Sequence, residues 1–327
     1  MIISTATLDA LRTTVSLVYR QAYDATQPWY TELATEISSS GKSNTYGWIA
    51  RQTRLRKWLG ARVVQNLSEH AYVLENSPFE GTIEIDKHDV EDDNLGIYTA
   101  IDIPELALAA KKHPDQLIAA LLMSNPKCFD GKNFFASDHP TFAKPGTGAP
   151  AAYGNDYTLD LTPDNFNTIW SAQSALVGED GQPLGALPNR LVCAPQNRKN
   201  AEEITKAGSI VKTIMNVAKN QNVAAAAVDN VLKGWAEPLI LPELALMPNT
   251  WFLACTTRAI KPFVRQLRTP YSFAARFDPT DPKVFDEHMF TFGCEGRGTV
   301  GVTLPFLMAR SVPAGDTAPT IDPQYMP

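Results

Sequence analysis

Residues 77–123 read SPFEGTIEIDKHDVEDDNLGIYTAIDIPELALAAKKHPDQLIAALLM, and this stretch decides the fold. Its first ten residues alternate between apolar and polar side chains, the pattern of a strand with one buried and one wet face. The apolar positions are Phe79, Gly81, Ile83 and Ile85, and the polar positions are Glu80, Thr82, Glu84 and Asp86. We expect a sheet to cover the apolar face.

The second half of the stretch has a helical period. Apolar residues recur at intervals of three and four, which places them on one stripe of a helix about 28 Å long. They are Leu106, Ala110, Leu117, Ile118, Leu121 and Leu122. Asp102 and Glu105 predict a capping box at the start of the helix, and Asn125-Pro126 predicts its end. Because Pro114 cannot donate a backbone hydrogen bond, we expect a kink or a break there.

Five short segments in and after this stretch resemble one protein family. They are residues 79–85 (FEGTIEI), 91–98 (EDDNLGIY), 113–117 (HPDQL), 128–135 (CFDGKNFF) and 137–140 (SDHP). Together they resemble the major head (capsid) subunits of Mu-like tailed phages and prophages. The resemblance implies an α+β chain with the Hong Kong 97-type capsid fold, which has an N-terminal arm, an extended β-hairpin loop, a peripheral domain with a long spine helix, and an axial domain.

The length of the chain also favours more than one core. A chain of 327 residues exceeds what a single hydrophobic core usually serves, so two subdomains are expected. Combined with the resemblance, this predicts an arm at 1–45, an extended loop at 46–78, a peripheral domain at 79–150, an axial domain at 151–283, and return strands of the peripheral domain with a C-terminal tail at 284–327.

The N-terminal region predicts one helix and one connector. Apolar residues at helical intervals within residues 8–23 indicate a short amphipathic helix, and residues 35–45, rich in Ser, Gly and Asn, indicate a connector. So short a segment cannot cover its own apolar stripe. We therefore expect residues 1–34 to pack on a neighbouring subunit.

The second half of the chain alternates helices and strands. Thr162-Pro163 starts a helix, residues 190–194 form a buried strand, and residues 195–206 form another helix. Residues 239–241 and 251–255 are expected as neighbouring strands. For residues 216–231 helix and loop remain alternatives, and the pairing of the strand within residues 300–306 is open. Gly293, Gly296 and Gly298 are interpreted as a glycine-rich turn.

Composition excludes several classes of function. No apolar run approaches the length of a bilayer crossing, and the first residues lack the pattern of a secretory signal, so assembly in the host cytoplasm is expected. A net charge of −6 argues against a dedicated nucleic-acid binder. Cys128, Cys193, Cys255 and Cys294 are widely spaced, which favours buried free thiols over zinc ligands or disulfides.

Two groups of residues, and the single Cys128, are candidates for a chemical site. The acids around residues 86–93 do not have the spacing of a calcium loop, so capping of a helix is the simpler interpretation. Asp130, Asp138 and His139 are the residues for an alternative function, a metal-dependent hydrolase, although a loop corner explains them more simply. Cys128 has no evident partner base.

The resemblance implies a structural role without catalysis, cofactor or metal. The chain would be a virion protein that self-assembles into pentamers and hexamers of an icosahedral shell around double-stranded DNA. Its implied partners are other copies of itself, a scaffolding protein and a portal. Contact with the packaged DNA would be weak and non-specific, and no membrane is involved.

Two segments of opposite charge are candidates for the contact between subunits. The basic segment contains Arg51, Arg54, Arg56, Lys57 and Arg62, and the acidic segment contains Glu84, Asp86, Asp89, Glu91, Asp92 and Asp93. In a shell of the implied kind, the extended loop of one subunit lies across the peripheral domain of the next. The two segments would then meet, and several such contacts together would set the register of neighbours.

Overall fold

The computed structural model describes residues 5–48, 70–92, 98–141, 152–178, 183–216, 221–278 and 280–321. Its α-helices are α1 (Thr5–Ala25), α2 (Tyr30–Leu33), α3 (Lys87–Asp92), α4 (Ile103–Ser124), α5 (Pro163–Ser174), α6 (Arg198–Thr205) and α7 (Pro282–Asp286). Its strands are β1 (Ala34–Ser38), β2 (Ser43–Trp48), β3 (His70–Glu75), β4 (Ser77–Asp86), β5 (His139–Pro140), β6 (Ala152–Tyr153), β7 (Asp156–Tyr157), β8 (Arg190–Cys193), β9 (Ser209–Asn216), β10 (Gln221–Asp229), β11 (Glu237–Ile240), β12 (Trp251–Ala254), β13 (Phe263–Arg276), β14 (Met289–Val302) and β15 (Met308–Ser311). Within the described residues, none of the helices combines the length and the apolar character that a membrane crossing needs.

Two sheets organise the chain. A four-stranded sheet has the order β1-β13-β14-β4, and a five-stranded sheet has the order β11-β8-β12-β15-β7. The first contains the predicted strand β4, whose exposure alternates residue by residue as expected. Its apolar face is covered by a helix and not by a sheet: Ile85 packs in one cluster with Ile103 and Leu106 of α4. The expectation of a covering sheet was wrong because a helical stripe buries the same surface.

The spine helix α4 is longer than predicted. It runs from Ile103 to Ser124 with Pro114 inside it, so the chain does not break there. The capping box is absent: Asp102 has helical dihedral angles (φ −67°, ψ −40°) and its side chain makes no capping hydrogen bond. The reason is that residues 98–102 already form a π-helical turn that leads into α4. Asn125 ends the helix with a left-handed backbone (φ 49°), as the Asn-Pro pair predicted.

Helix α1 confirms the predicted N-terminal helix but not the predicted location of its cover. Val15 and Tyr19 are buried against apolar residues of α4, β13 and β14 in the same chain. The Tyr19 and Phe273 rings stack with centroids 4.6 Å apart. The expectation that this stripe packs on a neighbouring subunit is therefore wrong for this structure, because the long-range packing supplies a cover that sequence spacing does not reveal.

The five-stranded sheet has a core on both faces. Val192 and Phe252 belong to the cluster that includes α4, whereas Leu191 and Leu253 pack on the opposite side with α5 and α6. Burial on both faces explains the continuous apolar runs of β8 and β12. Strand β8 lies between β11 and β12. These two strands share a sheet, but the prediction that they are direct neighbours is wrong.

Other segments that the sequence left open are strands. Residues 35–45, expected as a connector, contribute to β1 and to the start of β2. The undecided stretch 216–231 overlaps the hairpin of β9 and β10. Gly293, Gly296 and Gly298 lie within β14 rather than in a turn. A side chain at Gly298 would place its Cβ 2.6 Å from the Gln266 carbonyl oxygen, so glycine here permits a close approach of two strands.

The last strands connect the two sheets. Strand β14 pairs with β13 and β4 and ends at Val302; after a short turn, β15 pairs with β12 and β7. The predicted boundary at residue 283 separates β13 from β14 although the two are paired along their length. Strand β13 thus belongs to the same sheet as β4, and the domain boundaries stay a prediction.

Candidate inter-subunit contact surface

The acidic segment occupies the end of β4 and the helix α3. Glu84 and Asp86 lie at the end of β4, and Asp89 lies in the first turn of α3. The Asp86 carboxylate accepts a hydrogen bond from the backbone N–H of His88 at 2.7 Å. It therefore satisfies one of the unpaired donors at the start of α3, which agrees with the capping interpretation.

Part of this negative charge is neutralised within the chain. Glu84 forms an ion pair with Lys283 of α7, and both side chains are partly exposed. The hydrogen bond to Glu84 raises the pKa of Lys283 above its ordinary value. Next to this pair, Arg276 lies 2.8 Å from the carboxylate of Asp281, the residue that caps α7. Glu84 is thus less available for a contact with a neighbouring subunit than the sequence alone predicts.

The other predicted contact residues divide into two groups. Glu91 and Asp92 belong to α3, the helix that also contains Asp89. Asp93 and the whole basic segment lie outside the described residues; the latter comprises Arg51, Arg54, Arg56, Lys57 and Arg62. Strands β2 and β3, which flank that segment, pair antiparallel as expected for the base of a two-stranded loop. The pairing of basic and acidic segments stays a prediction.

The residues of the alternative hydrolase site do not assemble as one site. His139 is fully buried and its Nδ1 lies 2.6 Å from the Asp130 carboxylate, while its Nε2 contacts the Phe134 carbonyl oxygen at 3.2 Å. Asp138 instead forms an ion pair with Lys132 at the surface. Both ring nitrogens of His139 are thus engaged within the fold, which supports the interpretation as a loop corner.

The pKa of Asp130 lies below its ordinary value. Burial raises this pKa, but hydrogen bonds from His139 and from the backbone N–H of Lys132 lower it by more. The nearby Cys128 thiol is buried, and burial raises its pKa to about 12. A thiol with so high a pKa carries almost no thiolate at neutral pH, so Cys128 is unsuited to act as a nucleophile. All four cysteines are free and buried, as predicted.

Buried polar groups that the sequence did not single out hold the loop after α4. The Asn155 side chain accepts a hydrogen bond from the Ala136 N–H and donates to the carbonyl oxygens of Phe134, Pro305 and Met308 at 2.9–3.0 Å. It therefore ties this loop to the segment that joins the two sheets. A single Asn next to a turn carries no sequence signal for such a role.

Asp115 is a second buried polar residue that the sequence did not single out. It lies on the buried stripe of α4, three residues before Ile118 and seven before Leu122, and its side chain is fully buried. Its helical position was a signal, because an acid on an apolar stripe needs a buried partner. The partners are backbone N–H groups of residues 29 and 30, far away in sequence.

Comparison with solved structures defines the fold class. The fold matches the procapsid protein of bacteriophage JBD30 with a TM-score of 0.59 and 24% identity, over 98% of this chain and 78% of that chain. It matches the capsid of the same phage with a TM-score of 0.50 and 20% identity, over 95% and 73%. The chain therefore has the Hong Kong 97-type fold of tailed-phage capsid proteins.

Sequence comparison then gives the family. The model of the Mu-like prophage major head subunit gpT matches residues 8–158, 150–229 and 244–318, so the chain belongs to this family. The major capsid protein of Escherichia phage Mu is 37% identical over 158 residues, covering 47% of this chain and 52% of that protein. The Mu-like prophage FluMu major head subunit of Haemophilus influenzae is 26% identical over 274 residues, covering 83% and 62%. The matches thus span between half and two thirds of the length of these two relatives.

Proposed function

We propose that this chain is the major capsid protein of a tailed phage or prophage and that it assembles into the pentamers and hexamers of an icosahedral shell enclosing double-stranded DNA. The observation that carries the proposal is the family match over most of the chain. The fold supports it, because the chain matches the procapsid of bacteriophage JBD30 over 98% of its length with a TM-score of 0.59. A scaffolding protein and a portal are its further proposed partners. The chain would assemble in the host cytoplasm and become part of the virion.

We propose that the chain functions through contacts between its copies and not through catalysis. The geometry around His139 supports this, since its ring is buried and held by Asp130 and Phe134. Sedimentation velocity of the purified protein, combined with elemental analysis, tests the proposal. A shell protein gives capsomers or particles of many megadaltons without stoichiometric metal. A small oligomer with a bound metal ion would instead favour the hydrolase.

We further propose that the basic segment of one subunit contacts the acidic segment of the next. Both segments concentrate charge of one sign, which repels itself in an isolated chain and is relieved when the two meet. Since Lys283 already neutralises Glu84, the contact depends mainly on Asp86, Asp89 and the acids that follow them. A single exposed ion pair contributes only about 0 to 1 kcal/mol, so the effect needs several contacts repeated around each capsomer.

A charge-reversal experiment tests this contact. The substitutions Arg54→Glu, Arg56→Glu and Lys57→Glu are made together, and assembly is followed by light scattering at low and high salt. The triple variant should fold but assemble poorly at low salt, because like charges then face each other. Reversing Asp89, Glu91 and Asp92 to Lys as well should partly restore assembly.

A matched control separates this contact from a general charge effect. Glu84→Lys alters the same corner, but its partner Lys283 is in the same chain, so it should impair local stability more than salt-dependent assembly. Unchanged assembly of the triple variant would show that the basic segment is only a solvated surface.

A further inference from the structure

Residues 28–38, which we call the strap, join three parts of the fold. Strand β1 lies parallel to β13 in the four-stranded sheet. Glu32 lies 3.2 Å from Arg190 of β8 in the five-stranded sheet. Trp29 and Tyr30 contact the spine helix through Asp115. The strap therefore bridges both sheets and the helix between them.

The contact with the spine helix is a buried carboxylate. Asp115 has no exposed surface and accepts hydrogen bonds from the backbone N–H of Tyr30 at 2.7 Å and of Trp29 at 3.3 Å. These two donors lie at the start of α2, where N–H groups have no partner within the helix. Asp115 thus supplies from another element the acceptor that the strap itself lacks.

A second carboxylate lies beside this contact. The Trp29 indole Nε1 donates to Glu243 Oε1 at 3.4 Å. The other oxygen of Glu243 is shielded from solvent and has no hydrogen-bond partner among the described residues. Two acids therefore converge on the same end of the strap, and an ionised Asp115 is opposed both by burial and by its neighbour.

Burial and nearby groups shift the pKa of Asp115 in opposite directions. Burial raises its pKa to about 6, and Glu243 adds to the increase. The hydrogen bonds from Tyr30 and Trp29 and the charge of Lys112 act in the opposite direction but are weaker. The closed strap therefore holds the proton of Asp115 more tightly than water does.

We propose that Asp115 is a proton-controlled latch, which holds the strap on the spine helix and releases it more readily when the carboxylate is ionised. When the strap opens, Asp115 meets water and returns to its ordinary pKa of 3.8. A group whose pKa is higher in the closed state stabilises that state below the ordinary pKa, and this contribution is lost as the pH rises to about 6. The opening equilibrium should increase by about 100-fold across this interval and level off above it. The latch uses contacts within one chain only and does not depend on shell assembly.

Hydrogen–deuterium exchange of the strap between pH 4 and 8 tests the latch. Exchange rates of peptides covering residues 26–33 are divided by the intrinsic rate at each pH, which gives the opening equilibrium of the full-length protein. In the wild type this equilibrium should increase up to about 100-fold between pH 4 and 7. In Asp115→Asn, which cannot ionise, it should stay level. Glu105→Gln, an exposed acid on the same helix, should behave like the wild type.

A second variant keeps the test decisive if Asp115→Asn does not fold. Glu243→Gln retains an acceptor for the Trp29 indole but removes the neighbouring charge, so the pH-dependent increase in opening should become smaller. Opening that is independent of pH in the wild type, or the same pH profile in the wild type and in Glu243→Gln, would overturn the proposal.

Discussion

At the scale of single residues, buried polar groups decide more than the exposed charges that dominate the sequence. Asn155 and Asp115 each join segments far apart in the chain, and the pair of Asp130 and His139 fixes the loop after α4. Sequence reasoning found the last pair as a candidate but interpreted Asp138 as part of it. Local spacing cannot tell which acid turns inward, because that depends on the backbone path of the loop.

The pair of Asp130 and His139 gives a prediction about stability. Asp130→Asn removes the carboxylate that faces a buried ring nitrogen, so the free energy of unfolding should fall by about 3 kcal/mol at neutral pH. Urea unfolding of the unassembled protein measures this. Asp138→Asn is the matched control in the same loop, and its stability should stay near that of the wild type because its ion pair with Lys132 is exposed.

The pH dependence of this effect has a definite sign. Because the pKa of Asp130 is lowered in the fold, its contribution is complete above the ordinary value of 3.8 and is lost as the pH falls below it. The difference between wild type and Asp130→Asn should therefore shrink in acid. An equal difference at acidic and neutral pH would contradict a stabilising carboxylate.

At the scale of elements, the periodic segments were predictable and the irregular ones were not. The alternation in β4 and the stripe of α4 were assigned from sequence because their periods differ clearly. The antiparallel pair of β9 and β10 was not assigned, because its Ala-rich sequence fits several local structures and the pairing of the two strands decides among them. The glycines of β14 were misread for a similar reason: their cause is a close approach between strands, which only the tertiary structure shows.

Two glycines of β14 form a matched pair for testing this close approach. Gly298→Ala should destabilise the protein by about 2 kcal/mol or more, because the new Cβ would lie 2.6 Å from the backbone oxygen of Gln266 and strands must shift. Gly293→Ala should cost clearly less, since its nearest neighbour is the Thr82 hydroxyl at 3.4 Å. Thermal unfolding of both variants gives the comparison. Equal losses would mean that strand propensity alone, and not the contact with Gln266, sets the cost.

At the scale of the whole molecule, the resemblance of a few motifs predicted the fold class and the family, and comparison confirmed both. Physical reasoning on the sequence alone would have ended at an α+β chain with two subdomains. It also placed the cover of α1 on another subunit, whereas the structure places it on α4 and β13 of the same chain. How a chain covers its own surface is a property of long-range packing, which neither period nor composition contains.

Copies of this chain are proposed to form a closed shell. The acidic end of β4, the antiparallel pair of β2 and β3, and the strap across both sheets would then be features of one repeating unit.

Cryo-electron microscopy of the purified full-length protein tests this claim most directly. We expect closed particles with icosahedral symmetry, in which pentamers and hexamers of this chain are resolved. A homogeneous population of small oligomers under all assembly conditions, with no capsomers and no shells, would contradict it.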